Sequence, residues 1–413
     1  MIIIGKPCIE IVGETVFLKS HIVDEGQQIE DDLYYMTDVK YGEFLTDTVC
    51  DCFLVGLFQP AIKHGQSINI EGHISERLAY NLPTIKHILS LGSCRNDNIS
   101  NITINYLGVN SERVNNSAYV GCGCSLGVDS FAAMKYHLSE ACPQAHRITH
   151  LTYFNVGAMG YVDLEKAKES YEKDLKMVSK FAETINLPVV TIESNISKWH
   201  RDFDFDDSGH FRNLSAILSM QKFFRYYLYA SSFPINSFHF DSKYMGYYES
   251  LLFPLLSTEN TEIIIANPEM NRVAKTRYIM DDKLAQNYLY VCWKELIANR
   301  WPNSEIAKIK DLHLNCSRCD KCKRTLLAID LMGKLPLYEG IFDIPYWNSV
   351  RDSYIAKVID NKDDNTFYSE LYDLMQEVGY HPSLSVERTL RKIRIQRTFL
   401  YRLVNKMKRT LKQ

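Results

Sequence analysis

No apolar run in the chain approaches the ~18–20 residues of a membrane-spanning helix, so none is expected. Met1-Ile-Ile-Ile-Gly-Lys6 lacks the basic start and long apolar core of a secretory signal and reads as a first strand. A reducing, cytoplasmic setting is the expectation. An excess of one charge is missing too. With 47 Lys/Arg against 50 Asp/Glu the net charge is −3, which implies no general affinity for polyanions. What remains is ordinary for a globular chain, 46% apolar and 23% charged. At 413 residues there is room for two or three domains.

The chain is organised around Ser117–Leu138. This stretch reads as a short apolar strand, a tight Gly/Ser loop and a helix. A loop feeding a helix N-terminus turns several backbone N–H groups towards one point, and the helix dipole adds positive potential there. The natural occupant is an anion, most often a phosphate, and Asp129 stands where a metal-held polyphosphate needs a carboxylate. The loop has no lysine, so it is not a Walker loop. Gly121, Gly123 and Gly127 are spaced Gly-x-Gly-x-x-x-Gly, and the next strand, Thr149–Asn155, ends in Asn rather than in the acid of a dinucleotide site.

Ser125-Leu-Gly-Val-Asp-Ser130 resembles the Ser-Gly-Gly-x-Asp-Ser loop of the PP-loop ATP pyrophosphatases in five of six positions. Leu151-Thr-Tyr-Phe-Asn-Val-Gly157 and a late cysteine cluster are similar to segments of the 7-cyano-7-deazaguanine synthases, a branch of that superfamily. The resemblance spans roughly residues 117–335 and departs at Leu126, where the family has glycine. A Cβ there is expected to narrow the approach to the pyrophosphate.

The resemblance implies an α/β fold with a doubly wound parallel sheet of the PP-loop (HUP) type. It also implies ATP and Mg²⁺ as ligands, cleavage of ATP to AMP and pyrophosphate, and activation of a carboxylate, amide or carbonyl oxygen for a nitrogen or sulfur nucleophile. Carried onto this sequence, Ser125, Gly127 and Ser130 hold the phosphates. Asp129 positions Mg²⁺, and Asn155 and Gly157 lie near the adenine or the acceptor. Asp129, Ser130 and Lys275 are the expected catalytic residues.

Three domains are expected. Residues 1–116 read as a separate α+β domain, with strands near 9–12, 16–23, 33–39, 67–71 and 99–106 and helices near 47–63 and 75–91. Its role is a lid by default, with substrate selection and dimerisation open. Residues 117–335 alternate strand and helix, which argues for a parallel sheet with helices on both faces. The clearest helix is 163–186, whose stripe comprises Leu164, Ala167, Tyr171, Leu175, Val178, Ala182 and Ile185. A polar, aromatic segment, 195–212, reads as a mobile loop over the site, and 213–231 as a helix carrying Arg225 and Tyr226-Tyr-Leu-Tyr229. Ser237–Asp241 reads as a strand, which places Asp241 at a carboxyl end facing the pocket. Arg272 and Lys275, three apart at a helix start, suit a clamp on phosphates or a carboxylate; a solvated helix face is the alternative. Residues 336–413 read as a helical extension.

Eleven cysteines are many for a reducing setting. Cys50, Cys52, Cys122 and Cys124 read as small buried residues, whereas Cys8, Cys94 and Cys142 carry no pattern. Cys316-Ser-Arg-Cys319-Asp-Lys-Cys322 is a metal-type spacing. Tetrahedral zinc needs a fourth ligand, and Cys292 is the nearest upstream cysteine. A structural Zn²⁺ on Cys292, Cys316, Cys319 and Cys322 is expected, with an iron–sulfur cluster as the alternative. Lys321, Lys323 and Arg324 are placed to favour the thiolates.

The last 27 residues, 387–413, hold ten Lys/Arg against one acid, with Leu390, Ile393, Leu400, Leu403, Met407 and Leu411 as an apolar stripe. Such a helix packs on its own protein or meets a partner protein, RNA or an anionic membrane. Three functional classes stay open: an AMP-forming ligase for an unknown acceptor, a tRNA-modifying thiolase-like enzyme, and a non-catalytic nucleotide-binding subunit of a defence or biosynthetic complex.

Overall fold

The computed structural model describes the chain except residues 93–98, 116, 161–163, 302, 310–312 and 411–413, and without the side chains of 100, 164, 300 and 398–410. Cys94, Asn116, Asp163, Leu411 and the side chains of Leu164, Leu400, Leu403 and Met407 therefore lie outside the described residues. The chain forms two compact units, Met1–Met270 and Asn271–Gln413. The divisions expected at 116/117 and 335/336 are not where these units part.

The first unit is built on one eleven-stranded sheet. Its strands are β1 (Ile2–Ile4), β2 (Cys8–Val12), β3 (Thr15–Asp24), β4 (Ile29–Asp38), β5 (Ile68–Ser75), β6 (Ile104–Asn110), β7 (Tyr119–Gly123), β8 (His150–Asn155), β9 (Val189–Ser194), β10 (Phe224–Ala230) and β11 (Glu262–Ala266). Its helices are α1 (Asp51–Lys63), α2 (Glu76–Leu91), α3 (Val128–His137), α4 (Leu164–Thr184), α5 (Phe205–Ser219) and the single turn α6 (Glu249–Leu252). The strand order is β11-β10-β7-β8-β9-β4-β3-β1-β5-β6, with β2 paired to β3.

From β11 to β9 every neighbouring pair is parallel. The chain runs outwards from β7 through β8 to β9, then returns to the other side of β7 for β10 and β11. Right-handed crossovers therefore place α3 and α4 on one face and the β9–β10 connection, with α5, on the other. The order reverses between β7 and β10, and in an open α/β sheet the crevice for a ligand lies at the strand carboxyl ends beside such a reversal.

The region before residue 116 is not a separate sheet. Antiparallel β4 joins β9 with Tyr35 opposite Ser194 and Met36 opposite Glu193. Asn195 fastens this seam, accepting the Tyr34 N–H at 3.0 Å and donating to the Asp32 carbonyl at 2.8 Å. The alternation in β3 buries Val16, Leu18 and Ile22, and that in β4 buries Ile29, Leu33 and Tyr35. These side chains join one core with Phe53, Leu54, Leu57 and Phe58 of α1 and Phe211, Leu214, Ile217 and Leu218 of α5. Each such residue contributes roughly 1.5–3 kcal/mol on burial, so sheet and helices are bound into one body.

Three expected elements differ. Residues 195–212 are not a loop: a 3-10 turn covers Ile196–Trp199, and α5 opens at Phe205 with Asp206 and Asp207 in its first turn, where the helix dipole favours acids. Trp199 and His200 are buried, not poised over a cleft. The Tyr226–Tyr229 run lies in strand β10, because aromatic-rich residues fit a sheet flanked by neighbours on both sides. No strand covers 237–241; a 3-10 turn ends at Ser237.

The second unit is helical, as expected for 336–413. It contains α7 (Arg272–Ile279), α8 (Lys283–Tyr288), α9 (Lys294–Arg300), α10 (Asp320–Leu331), α11 (Ile344–Asp360), α12 (Thr366–Glu377) and α13 (Leu384–Thr410). Leu326, Leu327, Ile329, Trp347, Ile355, Leu371 and Leu374 are among its buried residues. On α13, Arg397 and Arg394 pair with Asp360 of α11 at 2.9 and 3.7 Å. Among the described residues no helix is long and apolar enough to cross a membrane.

Candidate functional site

The glycines of the central stretch divide their work. Gly121 and Gly123 belong to β7 rather than to the loop. A Cβ at Gly121 would lie 2.7 Å from the Phe224 ring and 2.9 Å from that of Tyr227. The missing side chains let β10 aromatics cross β7, and the Tyr227 hydroxyl meets Thr152 Oγ1 at 2.6 Å on the far side. Gly127 is the loop glycine. Its backbone is extended at the N-cap of α3, where no side chain caps the helix.

The loop is short and tethered. The Cys124 N–H donates to the Thr152 carbonyl at 2.9 Å, so the chain leaves the sheet only at Ser125. Ser125, Gly127 and Ser130 come together. The Gly127 N–H donates to Ser125 Oγ at 3.3 Å, Ser125 Oγ donates to Ser130 Oγ at 3.4 Å, and Ser130 Oγ donates to the Gly127 carbonyl at 3.1 Å. Ser125 is exposed and Asp129 half-buried in the first turn of α3. Two hydroxyls and the glycine backbone thus converge at a helix N-terminus without a side-chain cap, with Asp129 in the first turn, an arrangement whose donors suit an anion.

Leu126 takes φ +55°, the left-handed conformation that glycine adopts freely. Its side chain is 0% exposed. Strain of about 1–2 kcal/mol is offset by burying a leucine. The side chain is taken up by the interior, so the outward groups of the loop are those of Ser125 and Gly127, and the expected narrowing by a side chain at 126 is not seen.

Asn155 ends β8 and donates to Glu193 Oε2 on β9 at 2.9 Å. Gly157, two residues on, has φ +93°, and a Cβ there would lie 2.8 Å from Arg212 Nη1 and 2.9 Å from Ser197 Cβ. Arg212 on α5 is 1% exposed and donates to the His200 carbonyl at 3.3 Å. This buried guanidinium beneath Gly157 was missed by sequence reasoning. Its one signal, an arginine in a short polar stretch, does not distinguish it from a surface residue.

The remaining predicted residues stand elsewhere. Asp241 is not at a strand end; its carboxylate accepts the N–H groups of Lys243 and Tyr244, both at 2.7 Å, and closes a turn. Arg272 and Lys275 belong to the second unit. Asn271 caps α7 by accepting the Ala274 N–H at 2.8 Å, which places Arg272 at the helix start as expected. Glu370 of α12 accepts the Arg272 and Val273 N–H groups at 3.0 and 3.4 Å. Burial raises the Glu370 pKa, and the charges of Arg272 and Lys275 oppose that rise. Lys275 is 1% exposed, not on a solvated face.

Cys122 and Cys124, which flank Gly123 at the end of β7, are buried as expected. Desolvation pushes the Cys122 thiol up to about 12 and raises Cys124 as well. Neither is a ready thiolate nucleophile, so these two give a thiolase-like reading no support.

The cysteine centre lies in the second unit. The Sγ atoms of Cys292, Cys316, Cys319 and Cys322 all lie within 4.8 Å of one another. Cys319 and Cys322 are 3.4 Å apart, and Cys316 and Cys322 3.9 Å. Four thiolates on zinc at about 2.3 Å have edges of about 3.8 Å, so the donor set and its spacing fit such an ion. Amides are aimed at the sulfurs: Arg318 and Cys319 donate to Cys316 Sγ at 3.4 and 3.3 Å, and Lys294 and Cys316 to Cys292 Sγ at 3.3 and 3.4 Å. Hydrogen bonds from the neighbouring thiols, that of Cys292 foremost, hold Cys316 well below the usual thiol range.

Local geometry prepares this knuckle. Ser317 takes φ +57° between the first two ligands of the turn, and its Oγ accepts the Asp343 N–H at 2.9 Å. Buried Asn315 holds the distant ligand close by accepting the Val291 N–H at 2.9 Å and donating to the Leu289 carbonyl at 2.8 Å. Lys321 lies over the Trp293 ring at 4.2 Å, and Arg324 over Phe367 at 4.0 Å. The cluster can hold a metal ion such as zinc. Among the described residues no other group of three or more metal-type side chains converges in this way.

Compared with known protein families, curated proteins and solved structures, the chain matches none of them.

Proposed function

We propose that the chain binds ATP·Mg²⁺ at the β7–α3 loop and cleaves it to AMP and pyrophosphate, as an AMP-forming ligase resembling the PP-loop enzymes. One observation carries this reading. The strand order reverses beside β7, and Ser125-Leu-Gly-Val-Asp-Ser130 occupies the carboxyl end of that strand. A phosphate-type turn thus stands where an open α/β sheet has its crevice.

In this reading the acceptor's carboxylate or carbonyl oxygen attacks the α-phosphorus and pyrophosphate departs. A nitrogen nucleophile then attacks the adenylated carbon and AMP leaves. Ser125 Oγ, Ser130 Oγ and the first-turn N–H groups of α3 stabilise the charge that develops on the departing pyrophosphate. Asp129 holds the cation that offsets the remaining charge. Asn155 and Gly157 stand at the end of the next strand, where the nucleoside or the acceptor is bound. The cysteine centre holds a structural zinc that fixes the second unit.

Calorimetric titration with ATP·Mg²⁺ tests binding, and product analysis tests chemistry. Expected are saturable binding that Asp129→Ala weakens, and AMP with pyrophosphate once an acceptor is supplied. ADP as the only product would overturn the reading. A second reading, binding without turnover, rests on Glu370. That carboxylate already engages the α7 segment which carries Arg272 and Lys275, the cations expected to neutralise phosphate charge. Unchanged ATP after prolonged incubation with a wide acceptor panel would favour it.

A further inference from the structure

The two ends of the large sheet are treated differently. At one end, the outer strand β11 has cover: its Ile263 N–H donates to Ser257 Oγ at 3.0 Å. At the other end is β6, Ile104-Asn-Tyr-Leu-Gly-Val-Asn110, which pairs only with β5 among the described residues. Edge strands are ordinarily guarded by charge, by proline or by a covering segment, since their open main-chain groups template further pairing. β6 has no charged residue and no proline. Three of its apolar side chains are open to solvent, Leu107 72% exposed, Val109 46% and Tyr106 36%, while Ile104 packs against the core.

Which groups face outwards follows from the ladder. The Ile68 N–H donates to the Thr103 carbonyl at 2.9 Å, and Thr103 and β5 lie on the same side. Main-chain direction alternates along a strand. The one irregularity, between Ile70 and His73, adds its extra residue to β5 and leaves β6 regular. Odd-numbered residues of β6 therefore bond to β5. Ile104, Tyr106, Gly108 and Asn110 present N–H and C=O outwards.

We infer that β6 is the seam of a homodimer, in which a second copy pairs antiparallel on β6 about a two-fold axis at Leu107 and continues the sheet across it. The strand is self-complementary in this register. Tyr106 falls opposite Gly108 of the second copy and Ile104 opposite Asn110, and these are the residues whose main-chain groups point away from β5, with no main-chain partner among the described residues. Leu107 meets its own copy as a close, non-hydrogen-bonded pair. The aromatic ring of Tyr106 covers a glycine that has no side chain of its own to pack. Because the strand is neutral, two identical copies meet without repulsion, as an isologous interface requires. A short seam makes a dimer that forms with rising concentration. The inference does not depend on what the β7–α3 loop binds.

Sedimentation velocity of the full chain over about a hundredfold range of concentration tests it, together with three variants of the 72% exposed Leu107. Wild type is expected to pass from monomer to dimer. Leu107→Lys and Leu107→Glu, which set like charges face to face, should each weaken dimerisation about tenfold or more, with melting of the dilute monomer unchanged. Mixing the two variants should restore the dimer, since only a two-fold seam through 107 sets Lys against Glu. Leu107→Cys should form a covalent dimer on mild oxidation while wild type, with its exposed Cys8, does not. A wild type that stays monomeric, a dimer indifferent to Leu107→Lys, or a mixture that fails to recover would each overturn the seam. A monomer that instead captures an unrelated extended peptide on β6 would also count against it.

Discussion

Cys292 Sγ accepts the Cys316 N–H at 3.4 Å, which joins the ligand from before α9 directly to the turn that supplies the other three. Backbone amides hold the sulfurs of Cys292 and Cys316, and thiol contacts join Cys316 and Cys319 to Cys322. The centre is thus a folded clasp for the second unit, with Asn315 as its inner brace.

Removing one ligand should therefore release the metal. Cys319→Ser is expected to drop zinc from one equivalent to well below half and to lower the melting temperature by several degrees, because metal binding and folding are coupled in such sites. Elemental analysis of purified protein and thermal unfolding check this. Stoichiometric zinc in the variant would refute the assignment.

Leu126 sets strain against burial. Leu126→Gly relieves roughly 1–2 kcal/mol of left-handed strain but removes a fully buried leucine, a loss of about 2–5 kcal/mol for truncation to alanine. Burial is the larger effect, and a net destabilisation of about 2 kcal/mol is expected from these two ranges. Chemical denaturation measures it, and a stabilised variant would mean that strain dominates.

Gly121 has no room for a methyl group. Gly121→Ala forces the Phe224 and Tyr227 rings apart, since its Cβ would meet them at 2.7 and 2.9 Å. Overpacking of this kind costs about 1–3 kcal/mol. A lowered denaturation midpoint with ATP affinity largely kept would place Gly121 in packing rather than in phosphate contact.

His210 makes the fold acid-sensitive. Desolvation lowers its pKa to about 4, and Nδ1 lies 2.9 Å from the Tyr229 hydroxyl. The unfolded chain takes up this proton near pH 6.5, the folded chain only near 4. Stability from the neutral imidazole is therefore complete above about pH 6.5 and is lost as pH falls towards 4, by up to about 3 kcal/mol. His210→Gln, which keeps a polar partner for Tyr229, should flatten the stability profile across that window. An unchanged profile would assign the acid sensitivity to other groups.

Local signals made much of this protein legible. Strands β9 and β11, helix α4, the Gly/Ser turn and the triplet Cys316, Cys319 and Cys322 all follow from periodicity and spacing within a dozen or two residues. Hydrophobic alternation, turn residues and ligand spacing act over such distances, so the sequence carries them openly. The tertiary structure decided the rest. Aromatic-rich Phe224–Ala230 became a strand because β7 and β11 flank it on both sides. The N-terminal strands joined the central sheet because Tyr35 and Met36 find Ser194 and Glu193. Gly157 is where Arg212 approaches from α5, and Asp241 closes a turn instead of ending a strand. In each case the deciding partner is a dozen or more residues away or lies on another element, or the expected strand does not form, and no short-range pattern encodes a contact whose energy exists only once the chain has folded.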